Sequence, residues 1–453
     1  MKHEAREDTA SLVERDLRVL WHPATHFRDL DRLPPLPIAS AQGVWLETTD
    51  GRRILDAISS WWTCLHGHGH PALVAAIREQ VERLDHVMLA GFTHEPAVAL
   101  AEGLLQAAPG DFGKVFYADC GSAAVEVALK MSFQARQQGG EPDRRRFATL
   151  RNSYHGETLG ALGVGGADAY RSLFAPLLVD PLYLPAPALP LHAHADLATD
   201  AGADTPQADA AVALLEAHAH ELTAVIVEPL VQCAGRMTMT GAGFYRRIAN
   251  TAARLGIHVI ADEIAVAFGR TGRLFASTWA AVSPDLLCLS KGLSGGVLPL
   301  ACVLVRRGFE DHFRGDPARS FLHSHTFTGN PIACAAGAAS LRLLTDPDAE
   351  RSLARRVEAV GERLRRVAEA CPRVVEFRQA GMIAAMRVAP GPGAAVPEGG
   401  RLGLALREAA LERGVLLRPL HDTVYWMPPL VIPDEALDQL ANATIDTIAA
   451  VVG

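Results

Sequence analysis

Between residues 95 and 345 the chain alternates two kinds of apolar pattern. Short continuous apolar runs at 114–118 (KVFYA), 147–150, 223–227 (TAVIV), 258–261 (HVIA), 286–289 (LLCL) and 302–305 have the length of buried strands. Among them lie stretches with apolar residues at helical spacing, 97–107, 122–138, 243–255 and 330–344. Strands apolar on both faces and separated by helices predict an α/β fold with a mostly parallel sheet covered on both sides. Residues 184–213, rich in Ala, Pro and Asp, read as a surface excursion. Upstream, 45–47 and 54–56 flank the turn Thr49-Asp50-Gly51 as a hairpin, and Pro71 opens a helix over 72–84.

After about 346 a charged helix (350–370) leads to strands at 374–377 and 383–388, a helix at 401–413, a strand near 424–427 and a final helix from about 434. The Pro/Gly stretch 389–400 reads as a loop. The expected division is an N-terminal segment of a smaller α+β domain (1–70), a large domain (71–345) and the C-terminal part of the smaller domain (346–453).

Composition narrows the classes. A net charge of −8 gives no sign of a nucleic-acid partner. No apolar run reaches the ~18 residues of a membrane span. The start, MKHEAREDTASLVERDL, is polar and lacks the apolar core of a secretory signal, so a cytoplasmic protein is expected. The seven cysteines (64, 120, 233, 288, 302, 334 and 371) are scattered and never form CxxC, so neither a disulfide framework nor a metal site is expected. Of 43 basic residues, only Lys2, Lys114, Lys130 and Lys291 are lysine. Where arginine serves nearly every surface need, a lysine inside an apolar stretch suggests amine chemistry, because a guanidinium stays charged and an amine can deprotonate and attack a carbonyl.

Four segments at strand ends or helix starts carry candidate chemistry. Asp119-Cys120-Gly121-Ser122-Ala123 follows the strand KVFYA, with Ser122 suited to an N-cap and the first-turn amides suited to an anion such as phosphate. Alone it reads more readily as an ordinary capped helix. Asn152-Ser153-Tyr154-His155-Gly156 puts an aromatic ring on a strand-end loop, able to stack on a planar cofactor or simply to pack. Asp262-Glu263 closes HVIA; a carboxylate there can pair with a protonated pyridine nitrogen or merely cap a helix. Ser290-Lys291-Gly292 closes LLCL, where desolvation favours the neutral amine. The 29 residues from Asp262 to Lys291 fit one strand-to-strand crossover, which places acid and amine on one sheet edge. By contrast, Gly67-His68-Gly69-His70-Pro71-Ala72 matches a loose dinucleotide pattern without the strand-borne acid that such a site needs, and His66, His68 and His70 read as a turn rather than a metal site.

At these residues, and over nearly its whole length, the chain resembles the fold-type-I, class III aminotransferases. The matching segments are Trp21-His22-Pro23, Ser59-Ser60-Trp61-Trp62, Tyr154-His155-Gly156, Ala261-Asp262-Glu263-Ile264, Phe268-Gly269-Arg270-Thr271-Gly272, Thr326-Phe327-Thr328-Gly329-Asn330-Pro331, Arg418-Pro419 and Met427-Pro428-Pro429. The Trp pair and the two terminal motifs narrow the resemblance to the branch that aminates 8-amino-7-oxononanoate, with S-adenosyl-L-methionine as amino donor. The resemblance implies a seven-stranded sheet, pyridoxal 5′-phosphate as cofactor, and a homodimer with the active site at the interface. It implies that Lys291 bonds the cofactor and shuttles protons, that Asp262 pairs with the ring nitrogen, and that Tyr154 stacks on the ring. Gly121, Ser122 and Ala123 would hold the phosphate, with Thr326 reaching across from the other subunit; His155, Glu228 and His325 would complete the cofactor site. Trp61, Trp62, Ser324 and Arg418 would line the substrate site, Arg418 gripping a carboxylate.

Five residues depart from the family pattern: Ala24 after Trp-His-Pro, Ser153 and Arg236 where Gly is usual, and Val266-Ala267 within the Asp262 motif. None removes a group with a chemical role, and all bear on donor choice and rate. An aminotransferase for other amines or diamines, a related decarboxylase or an aminomutase stays open. A cofactor-binding regulator would need a DNA-reading module, and the sequence has no basic helix-turn-helix segment.

Overall fold

The computed structural model describes residues 2–392, 394 and 401–453. Most of the loop expected at 389–400 therefore lies outside the described residues. The central sheet has seven strands in the order Phe112–Ala118, Ala301–Arg306, Leu286–Leu289, His258–Asp262, Leu222–Val227, Arg146–Leu150, Leu182–Leu184. All pairings are parallel except those of Ala301–Arg306, which runs antiparallel to both neighbours. Strands such as Leu222–Val227 and His258–Asp262 are buried along their whole length because helices cover both faces. On one face the helix Gly121–Gln138 packs Val125, Val127, Ala128 and Met131 against Ile226, Ile260 and Cys288. On the other, Ala242–Arg254 contributes Phe244, Tyr245 and Ile248 to the larger core.

A second core joins the two ends of the chain. Ile38–Gln42, Trp45–Thr48 and Arg53–Asp56 form an antiparallel meander, and Val415–Leu416 adds to it in parallel. Val44 and Leu55 there pack with Val360, Leu364, Trp426 and Leu440 from the C-terminal part. The helices Ala349–Ala370 and Asp434–Val452 cover the three-stranded sheet Val374–Ala380, Ile383–Val388, Thr423–Trp426. Among the described residues no helix is long and apolar enough to cross a membrane.

Three elements differ from expectation. Leu182–Leu184 is an edge strand of the central sheet where no strand was expected, because a run of three residues is too short to show an apolar pattern. The excursion at 184–213 contains the start of the helix Pro206–His218, whose buried face is Ala208, Ala211 and Leu215. Small alanines bury fully here while giving little apolar contrast, so the helical period was hidden. The N-terminal segment, expected to hold short strands, opens with the helix Lys2–Val19, whose charged composition has no apolar stripe to announce it.

Candidate active site

The central sheet brings the chemistry together. Asp262 ends its strand in parallel register with Cys288 of the next, and Lys291 follows Cys288 by three residues. One strand pair thus delivers a carboxylate and an amine to the same sheet edge, at the carboxyl ends where open α/β sheets bind ligands. Both line a cavity of about 470 Å³, with Trp62, Gly121, Ser122, Tyr154, His155 and Glu228 on its walls. Lys291 opens a short 3-10 turn with φ +45°, a left-handed conformation rare for a non-glycine residue. The Oγ of Ser290 anchors this turn by donating to the Leu300 carbonyl at 2.8 Å.

Asp262 is held on two sides: His155 Nδ1 lies 2.7 Å from one oxygen, and the amide of Ile264 donates to the other at 3.1 Å. Beside it, Glu228 accepts the amides of Tyr154 (2.9 Å) and Cys233 (3.2 Å). Burial, and then the nearby Asp262 carboxylate, push the Glu228 carboxyl well above its ordinary range. Burial lowers the Lys291 ammonium, while Asp262, Cys233 and Glu228 oppose that shift. The Lys291 nitrogen sits 5.1 Å from the Trp62 ring centre. Burial also raises the Tyr154 phenol, which donates to Glu157 at 3.0 Å and keeps its proton.

At the other end of the cavity the helix Gly121–Gln138 presents its first turn. The N-cap is Cys120, in an extended conformation, and not Ser122 as expected from sequence. The chain leaves the strand extended through Cys120, so the helix starts at Gly121; the Ser122 hydroxyl accepts the Glu157 amide at 3.0 Å. Packing here is close: a Cβ on Gly156 would fall 1.9 Å from Ser122 Oγ, and one on Gly121 would fall 3.0 Å from Ile264. A helix N-terminus with bare amides and a neighbouring hydroxyl suits a phosphate. Amine, carboxylate, ring-sized space and anion site together fit pyridoxal 5′-phosphate.

The substrate side is a larger cavity of about 1040 Å³, shared by Trp61, Trp62, Tyr154, Lys291 and Arg418. The Arg418 guanidinium lies 4.4 Å over the Trp61 ring and donates to the Ala24 carbonyl at 3.2 Å. Trp62 Nε1 donates to the Tyr425 hydroxyl at 3.1 Å. The four residues Ser59 to Trp62 all have positive φ, between +45° and +75°. Left-handed backbone brings Cβ against the following carbonyl, at roughly 1–2 kcal/mol per non-glycine residue.

Not every expected residue joins these walls. Ala123 lies farther along its helix and lines neither cavity. Ser324, His325 and Thr326 sit between Arg319 and the helix Pro331–Leu344, and none lines either cavity of this chain. His325 reaches only within 3.8 Å of Asp119. Of the departures, Ala24 and Arg236 line the outer cavity and Val266 the inner one. Arg236 adopts φ +60°, the conformation that suits a glycine there. Ser153 lines neither cavity and closes its own loop through Thr149 (2.9 Å) and the Gly166 amide (3.1 Å). Sequence reasoning passed over Tyr170 and Arg407, which also line the outer cavity; an isolated Tyr or Arg on a surface-like segment carries no signal of convergence. Among the described residues, no group of His, Cys, Asp or Glu is arranged to hold a metal. His66 bonds Ser340 at 2.9 Å, His68 bonds Asp56 at 2.9 Å, and His70 caps the helix Pro71–Arg83.

This fold and site define an aminotransferase: the chain belongs to the class-III aminotransferase family, whose model matches residues 28–448. It is 38% identical to the adenosylmethionine-8-amino-7-oxononanoate aminotransferase of Geobacter sulfurreducens, over 98% of this chain and 99% of that one. It is 36% identical to the enzyme of that name from Helicobacter pylori, over 97% and 98%. Among solved structures, the adenosylmethionine-8-amino-7-oxononanoate aminotransferase of Methanocaldococcus jannaschii superposes with a TM-score of 0.90 at 29% identity, covering 98% of this chain and 99% of that one. A PLP-bound amine transaminase from an uncultivated Pseudomonas species superposes at 0.85 with 28% identity, covering 96% and 99%.

Proposed function

We propose that this chain binds pyridoxal 5′-phosphate in the inner cavity and transfers an amino group from S-adenosyl-L-methionine to 8-amino-7-oxononanoate, giving 7,8-diaminononanoate for biotin synthesis. The observation that carries the reading is the Lys291 amine beside a fixed carboxylate on one sheet edge. Relatives of that name, 36–38% identical over nearly the full chain, support the substrate pair. When bound, the cofactor supplies an electron sink that makes the substrate's α-proton labile. Lys291 takes and returns that proton in both half-reactions, a task suited to an amine whose charged form burial disfavours. Asp262, oriented by His155, holds a proton on the ring nitrogen. The first-turn amides of Gly121–Gln138 and the Ser122 hydroxyl bind the phosphate, and Tyr154 covers the ring. Trp61 and Trp62 exclude water from the acceptor's aliphatic chain, and Arg418 binds its carboxylate.

The working unit is a cytoplasmic homodimer in which Thr326 of one subunit completes the other's phosphate site. Support comes from the exposure of large apolar residues, among them Met88, Phe92, Leu322 and Phe327. A second reading, transamination of simple amines, rests on Ala24, which puts only a methyl side chain at its own place on the outer cavity wall. Both are tested by following the visible absorbance of the purified holoenzyme with each candidate donor, then adding the oxo-acid. Bleaching by adenosylmethionine and recovery on the oxo-acid, with rescue of a biotin auxotroph, is the expected result. Bleaching only by simple amines, with no rescue, selects the second reading.

A further inference from the structure

We infer that Asp56, with His68, is a positioning residue that latches the Ser59–Trp62 turn in its left-handed form and so sets both tryptophan walls of the substrate site. This rests on Trp61 and Trp62 being that wall. The turn is unusual in being a run of four non-glycine residues with φ of +52°, +45°, +73° and +75°. No residue in it is Gly or Asn, the types that adopt this conformation readily. Such backbone persists only where surrounding contacts over-determine it.

Those contacts converge on one carboxylate. Asp56 is fully buried and lines neither cavity. One of its oxygens accepts the amides of Ser60 (2.9 Å) and Ile58 (3.3 Å). The other accepts the Ser60 hydroxyl (2.8 Å) and bonds His68 Nε2 (2.9 Å). His68 is itself pinned, its backbone exchanging two hydrogen bonds with Gly43 at 2.7 and 2.9 Å. At the start of the turn, Ser59 Oγ donates to the Met427 carbonyl at 2.8 Å.

The turn's two ring-bearing residues then diverge. Trp61, 43% exposed, faces Arg418; Trp62, 5% exposed, faces Lys291. Asp56 also pairs in register with Leu416, two residues before Arg418. One buried carboxylate therefore ties the indole wall to the strand that launches the carboxylate-binding arginine.

The test compares Asp56→Asn, Ser60→Val, Ser60→Gly and the double variant Asp56→Asn/Ser60→Gly. Ser60 is exposed, so its variants report on the turn without disturbing the core. Asp56→Asn and Ser60→Val should each raise the KM for the oxo-acid about tenfold or more, with kcat changed less than threefold and the bound-cofactor absorbance retained. Ser60→Gly, which removes the Cβ conflict, should keep the wild-type KM and should recover most of the loss in the double variant. The near-ultraviolet circular dichroism of the cofactor-free protein should change in the two damaged variants and return in the double one. An unchanged KM and dichroism in Ser60→Val, or no recovery by Ser60→Gly, overturns the inference. If Asp56→Asn does not fold, the Ser60→Val and Ser60→Gly pair decides. If the wild type shows no turnover of the oxo-acid, the functional reading fails, and the dichroism still decides the latch.

Discussion

Arg418 makes no salt bridge among the described residues; its contacts are the Trp61 ring and the Ala24 carbonyl. A guanidinium held against an aromatic face, with hydrogens to spare, is prepared for a planar anion. Replacing it with alanine removes a charge-assisted hydrogen bond of roughly 1.5–3 kcal/mol. The oxo-acid KM should rise about 10- to 150-fold, while the first half-reaction, monitored as bleaching by the donor alone, stays within about threefold. An equal loss in both half-reactions would place Arg418 elsewhere in the chemistry. Lys291 and Asp262 were legible from sequence because each ends an apolar strand run, and the crossover length fixes their common edge. Glu228 was named only through resemblance. Nothing in its local sequence says that Tyr154 and Cys233 will donate amides to it.

Elements were legible where apolar contrast is strong. Six of the seven strands of the central sheet lie within a residue or two of their expected places, while the three-residue strand Leu182–Leu184 went unread and the helix Pro206–His218 hid behind alanines. The segment around His66, His68 and His70 read as a turn, and it is one, yet its partnership with Asp56 depends on folding that brings positions 56 and 68 together. That partnership has a pH signature. Chiefly through the hydrogen bond to Asp56, and then through Cys64, the His68 imidazolium is raised from 6.5 to about 10. Burial pushes the Asp56 carboxyl up, but hydrogen bonds from His68 and Ser60 outweigh it and leave the group below its usual range. Because the folded value of His68 lies above the unfolded one, its stabilisation is complete below pH 6.5 and is lost as pH rises through about 10. The melting temperature of the wild type should therefore fall more steeply between pH 6.5 and 10 than that of His68→Gln. Parallel curves would show that the pair carries no net charge energy.

At the scale of the molecule, the two ends of the chain share one core while the middle builds the sheet, so the substrate wall near residue 61 and the arginine at 418 meet across the seam. The sequence marked where the pattern changes character but could not show which strands pair. Val415–Leu416 adding to Arg53–Asp56 is a long-range choice made by packing. Exposed Leu322 (88%) and Phe327 (59%) flank the segment that carries Ser324 and Thr326. Sedimentation should give a dimer, and Phe327→Glu should shift it toward monomer with loss of bound cofactor; a monomeric, fully loaded wild type would contradict the shared site. The scarcity of lysine has a last consequence, in the hands of a protease that cuts only after that residue. Unmodified, the chain would break after positions 2, 114, 130 and 291. Once borohydride has welded the vitamin-derived group onto the cavity amine, the last of these cuts should be blocked. A mass spectrum would then show the span 131–453 as one heavier peptide, marking the reactive site by a missing scission.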